Sequence, residues 1–146
     1  RKVTTPLLGY LPVVNFHPSY LPAFKGLRAV ESAFKSGVRF IGATSHLATD
    51  CLDQGAIIGQ VMTPIELAYN NGIKELQRIS YAQVVYLSLS CMELISTRKL
   101  NLADGHEMKW IASPIFCSFA NPCLENPLLA KSFDQFQNDN ALRTFE

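Results

Sequence analysis

Pro18 and Pro22 stand four residues apart in His17-Pro18-Ser19-Tyr20-Leu21-Pro22-Ala23-Phe24-Lys25-Gly26. Each lacks a backbone N–H and holds its predecessor extended, so neither a regular helix nor a central strand runs through the segment. A stiff, ordered loop is the form that remains. The elements on either side must be built around it.

Upstream, Leu11-Pro12-Val13-Val14-Asn15-Phe16 reads as a short buried strand, apolar and β-branched, with its proline at the opening. Downstream, Leu27 to Ser36 has a helical pattern: Leu27, Val30, Ala33 and Phe34 share a face, and Gly37 fits the stop. Val38 to Leu47 reads as a strand, with Gly42 inside it as a bulge or a close approach. A polar turn, Thr49 to Gly55, leads to a strand over Ala56 to Met62. Apolar positions such as Leu76, Ile79, Val84, Leu87, Cys91 and Leu94 predict one long buried helix from Ile73 to Ser96, with basic residues closing it over Thr97 to Leu102. The expected division is a domain over 1–102 and an irregular appendage over 103–146, where Pro114, Pro122 and Pro127 interrupt the chain.

The 146 residues fit one domain's worth of core, and 48% of them are hydrophobic. A net charge of +1 provides no basic field for nucleic acid. The most apolar run, Tyr81 to Ile95, is shorter than a membrane span and contains Gln83 and Glu93, so no membrane partner is expected. Arg1-Lys2-Val3-Thr4-Thr5-Pro6 is not a signal sequence. Cys51, Cys91, Cys117 and Cys123 form no C-x-x-C pair and read as thiols in a reducing compartment. A cytoplasmic location is expected, with an organellar one left open.

Asn15 and His17 lie two apart at a strand's carboxyl end, so both side chains point to one side. A carboxamide can donate to a developing oxyanion, and an imidazole can move a proton. Asp53 is the candidate third group, with Asp50 second. From spacing alone, the favoured reading is that Asn15 satisfies loop backbone and His17 caps a turn. His46, at the end of the next strand, reads as a hydrogen-bonded residue lining the same site. His17, His46 and Asp53 lack a metal-ligand spacing, and no metal is expected. His106 reads as solvated loop and Cys51 as an ordinary turn cysteine; Lys25-Gly26 could touch an anion, although a lone lysine is usually just solvated. No glycine-rich phosphate cradle occurs.

Taken together, Asn15-Phe16-His17-Pro18-Ser19-Tyr20-Leu21-Pro22-Ala23-Phe24-Lys25-Gly26 resembles the N-x-H-P-S-x-L-P-x-[FY]-x-G signature of the folate-dependent formyltransferase family. Gly42-Ala43-Thr44-Ser45-His46, then Thr49-Asp50-Cys51-Leu52-Asp53-Gln54-Gly55 and Ile57-Ile58, look like that family's G-x-T-x-H and T-D-x-L-D-x-G-x-I-[IL] segment. The likeness covers about Val13 to Leu102.

The resemblance implies a doubly wound, Rossmann-like α/β fold with a mostly parallel sheet. The donor would be 10-formyltetrahydrofolate, used in one-carbon and purine metabolism. Asn15, His17 and Asp53 would be the catalytic set. Ala48, Thr49, Asp50, Cys51 and Leu52 would bind the folate's pterin through their backbone, and His46, Lys25 and Gly26 would line the substrate. The formyl carbon would be attacked by water, as in the deformylase branch, which Ser36 to His46 most resembles. Alternatively an amine such as glycinamide ribonucleotide would attack it, as in the branch that His17-Pro18-Ser19 more resembles; an inactive folate-binding module is the third reading. Gln83 falls where the family tends to carry a Glu that helps hold the acceptor, and Ala56 replaces a usual proline. Family members carry several strands and helices before the Asn-x-His strand, whereas fourteen residues precede Asn15 here. The expectation is therefore the C-terminal half of the fold, completed by a longer chain or a second copy, or a remnant.

Overall fold

The computed structural model describes residues 12–65, 71–97, 100–102, 109–110, 117–118 and 124–140. The first strand, β1 (Val14–His17), starts two residues beyond Pro12 and stops where Pro18 removes the next N–H. After the proline loop comes α1 (Ala29–Lys35), shorter than the apolar pattern predicts. Arg28 offers no side-chain cap, and Gly37, at φ 66°, turns the chain out of the helix.

Next are β2 (Phe40–Leu47) and β3 (Ile57–Pro64). Helix α2 (Ile73–Ser96) has the predicted bounds. It ends at Thr97 with no basic residue in its last turn; Arg98 and Lys99 lie outside the described residues. The short strands β4 (Leu100–Asn101), β5 (Lys109–Trp110) and β6 (Cys117–Ser118) precede α3 (Pro127–Asp139).

The main sheet has the order β1-β2-β3-β6, and its first three strands are antiparallel. Val14 pairs with Leu47 and His17 with Thr44; Phe40 pairs with Pro64. The only parallel pairing among the described strands is β3 with β6, over Val61–Met62 and Cys117–Ser118. The expected mostly parallel, doubly wound sheet is therefore wrong for these residues. The reason is visible in the chain length between strands. Nine residues, 48–56, separate β2 from β3, and a parallel return needs a crossover of about a dozen or more.

Gly42 is a close approach, not a bulge. A Cβ there would meet the Val61 carbonyl oxygen at 2.6 Å and Tyr20 Cβ at 3.0 Å. The register break falls between Ser45 and His46, the point at which a bulge re-aims a side chain.

Helix α2 lies across one face of the sheet and contributes to three apolar clusters. Ala82, Tyr86 and Leu87 meet Ala43, Val61 and Phe133; Leu76 and Ile79 meet Ala33, Ile41 and Ile65; Cys91 and Leu94 meet Leu47, Ile58 and Leu100. By length and composition this helix is long and apolar enough to cross a membrane. Here its apolar face is the core.

The expected irregular appendage contains a helix. Pro127 opens α3 at the position where a missing N–H is harmless, and Asn126 Oδ1 accepts from Leu128 N at 2.9 Å and Leu129 N at 3.3 Å. The buried Glu93 of α2 accepts from Glu125 N at 3.1 Å and from Asn126 N. At the other end, Arg78 of α2 donates to the Asn140 carbonyl oxygen. An anion at the N-terminus and a cation at the C-terminus both oppose the helix dipole. Phe133, 1% exposed, tilts against Tyr86 at 5.4 Å between ring centres.

Candidate active site

Three segments of signature sequence meet around one carboxylate. Asp53 Oδ1 lies 3.5 Å from His17 Nδ1 and 3.8 Å from His46 Nε2, and Asn15 Nδ2 lies 3.0 Å from His46 Nε2. His17, His46 and Asp53 are buried, and Asn15 is half-buried. The alternate pointing of β1 puts Asn15 and His17 on one side, as the spacing requires. The antiparallel register sets Asn15 opposite His46. Asp50, the second candidate, stays exposed on the turn.

The partners fix where hydrogens sit. His46 Nδ1 donates to the Leu47 carbonyl oxygen at 2.8 Å, so Nε2 carries the lone pair that accepts from the Asn15 amide. Among the described residues the second Asn15 amide hydrogen has no acceptor, which leaves it for a ligand. His17 Nε2 donates to the Phe24 carbonyl oxygen at 3.0 Å, so His17 Nδ1 is the atom that faces Asp53. Imidazole and carboxylate thus face each other across 3.5 Å, the arrangement of an acid–base pair.

The loop and the turn are shaped to hold that carboxylate. Gly26, at φ 94°, aims its N–H at Asp53 Oδ2, 2.9 Å away. Asp53 and Phe24 adopt φ 53° and φ 52° without being glycines, a conformation that costs of order 1–3 kcal/mol and gathers at functional sites. The glycine that follows is required sterically: a Cβ at Gly55 would come within 1.6 Å of the Leu47 carbonyl oxygen. Ala48 N donates to Val13 O at 2.8 Å, tying the turn to the entry of β1.

The loop's other anchor escapes sequence reasoning. Thr44 is wholly buried; its Oγ1 donates to Ser19 O at 2.8 Å and accepts from Leu21 N at 3.0 Å and Gln60 Nε2 at 3.1 Å. Gln60 Nε2 also reaches Leu21 O at 2.9 Å. The signal for Thr44 was its place in the G-x-T-x-H run, two residues before His46. The Phe24 carbonyl carried no side-chain signal.

Among the residues expected to line a substrate, Gly26 is a backbone donor to Asp53 and Lys25 is exposed. Thr49, Cys51 and Leu52 are also exposed on the turn, and Thr49 Oγ1 donates to Cys51 O at 2.9 Å. Gln83 is fully buried against the sheet. Its Nε2 donates to Ile41 O at 3.2 Å and to Thr63 Oγ1 at 2.9 Å, so it braces strands instead of facing an acceptor. Among the described residues no group of His, Cys, Asp and Glu is arranged to hold a metal ion. His106 lies outside the described residues.

The same stretch of chain matches known proteins. The family model described as formyl transferase matches residues 7–83, more than half the chain, and that span contains all four clustered side chains. A formyltetrahydrofolate deformylase from Haemophilus influenzae is 47% identical over 58 residues, which cover 40% of this chain and 21% of that protein. A solved glycinamide ribonucleotide transformylase 1 from Symbiobacterium toebii superposes with a TM-score of 0.66 at 30% identity, covering 77% of this chain and 52% of the other. A solved phosphoribosylglycinamide formyltransferase from Anaplasma phagocytophilum gives a TM-score of 0.60 at 34% identity, covering 73% of this chain and 50% of the other. The chain thus spans about a fifth of that deformylase and about half of each solved relative. The signature side chains and the matched span coincide, and the chain belongs to the formyl transferase family.

Proposed function

We propose that this chain carries the acid–base centre of an enzyme that hydrolyses 10-formyltetrahydrofolate to formate and tetrahydrofolate. The convergence of Asn15, His17, His46 and Asp53 is the observation that supports it. In this reading water attacks the formyl carbon. The second Asn15 amide hydrogen and the His17 imidazole stabilise the oxyanion; a single such donor is worth roughly 10²–10³ in kcat. Asp53 and a water take the proton from the attacking oxygen and return it to the departing folate nitrogen. The turn from Ala48 to Leu52, exposed from Thr49 onward, forms a wall for the pterin through its backbone.

A second reading has the same centre transferring the formyl group to a small amine such as glycinamide ribonucleotide. The solved relatives named above, a phosphoribosylglycinamide formyltransferase and a glycinamide ribonucleotide transformylase, favour it. Gln83 weighs against it, because that side chain is committed to the sheet. The test is tetrahydrofolate release from the formyl donor by the protein that contains this chain, with and without glycinamide ribonucleotide. Release without the amine supports hydrolysis, and strict dependence on it supports transfer. Folate binding with no release under either condition contradicts both.

A further inference from the structure

We propose that a second cleft, on the α1 side of the proline loop, binds a small aromatic monocarboxylate. The cleft encloses ≈ 330 Å³, at the lower end of the range for small-molecule pockets. It shares no lining residue with the cluster of Asn15, His17, His46 and Asp53. Three rings, from Tyr20, Phe24 and Phe40, join Val30, Ala33 and Met62 in its wall. Such a wall accepts a flat ring in offset or edge contact. Tyr20, Phe40 and Met62 stay 39%, 51% and 43% exposed, so the apolar surface is open to an occupant.

Arg39 is the only charged residue in the lining among the described residues. It is exposed, and none of the ion pairs among the described residues uses it. A guanidinium pairs with a carboxylate through two parallel hydrogen bonds. One cation beside an apolar, ring-lined wall selects one negative charge on an aromatic body. A cationic ligand would be repelled, and a dianion would leave one charge unmatched.

The experiment is a titration of the protein with 3-phenylpropanoate, followed by calorimetry and by amide chemical shifts. The uncharged 3-phenylpropanol and the cationic 3-phenylpropylamine serve as comparisons. The carboxylate should saturate, shift Phe24, Phe40 and Met62, and bind at least about tenfold tighter than the alcohol; the amine should not bind. Arg39→Gln should reduce the carboxylate to the alcohol's affinity. Met62→Trp should fill the cleft and remove binding of both. Asp53→Asn should bind as the parent does, which separates this cleft from the candidate active site. Absence of saturation, equal affinity for acid and alcohol, an unaffected Arg39→Gln variant, or loss of binding in Asp53→Asn would each overturn the proposal. Arg39 is an exposed side chain, so its variant keeps the test decisive if Met62→Trp fails to fold.

Discussion

Between Val14 and Pro64 six polar side chains, His17, Ser19, Thr44, Ser45, His46 and Asp53, are buried beside hydrocarbon such as Ile41, Ile58 and Val61. Between Ile73 and Asp139 the buried volume holds mostly hydrocarbon and rings, with Leu76, Ile79, Ala82, Leu87 and Leu94 from α2 and Phe133 from α3. The two regions tolerate change differently. A hydrophobic contact is non-directional and survives small shifts. A buried hydrogen bond has a fixed geometry, and leaving one partner unmet costs about 1–3 kcal/mol. The strand–loop–turn region is thus specified atom by atom, whereas the helical region is specified by pattern.

Gly55→Ala tests that contrast hardest. Its methyl would overlap the Leu47 carbonyl, which is backbone and has nowhere to go. We expect a loss of about 3 kcal/mol or more, read as the denaturant midpoint, with activity lost because the turn that holds Asp53 is displaced. Thr44→Val comes next. It keeps the volume but strands Leu21 N and the Ser19 carbonyl, so stability should fall by about 1–3 kcal/mol and amide exchange should rise first in residues 18–26. A milder result for Thr44→Val than for Glu93→Gln would erase the proposed difference between the regions.

Glu93→Gln addresses the carboxylate that ties α2 to the start of α3. The loss of charge at the start of α3 should cost about 1 kcal/mol, seen as earlier proteolysis within 127–139 while β1–β3 remain protected. Cys91 supplies the smallest effect. Burial pushes its thiol from the usual 9.0 up to about 11. The unfolded chain then ionises first, so this contribution is complete below pH 9 and is lost as pH rises through about 11. The melting temperature of the parent should fall relative to Cys91→Ala over that window. At neutral pH, iodoacetamide with peptide mapping should label the exposed Cys51 well before Cys91.

The same contrast explains what could be read in advance. The bounds of α2 followed from apolar spacing alone, because one face of a long helix must be covered. Asn15, His17 and Asp53 were legible as a set through the signature, and their convergence follows from the period of β1 and the turn after β2. Strand direction was not legible from the resemblance. The short connection between Leu47 and Ile57 carried it, and that physical signal should have outweighed the family expectation. Helix α3 was obscured by its prolines, although Asn126-Pro127 is a helix start. The Phe24 carbonyl and Thr44 act through backbone geometry and a buried hydroxyl, which leave little trace in composition or period.

Asp53 and His17 are the proposed acid–base pair at the centre where a formyl group reacts. Tetrahydrofolate release by the protein containing this chain, compared with its Asp53→Asn variant at equal folate binding, tests this most directly. The account predicts a drop in kcat of about 10²–10⁴-fold in a variant that remains folded and still binds the folate. An Asp53→Asn protein with the parent's kcat would contradict it.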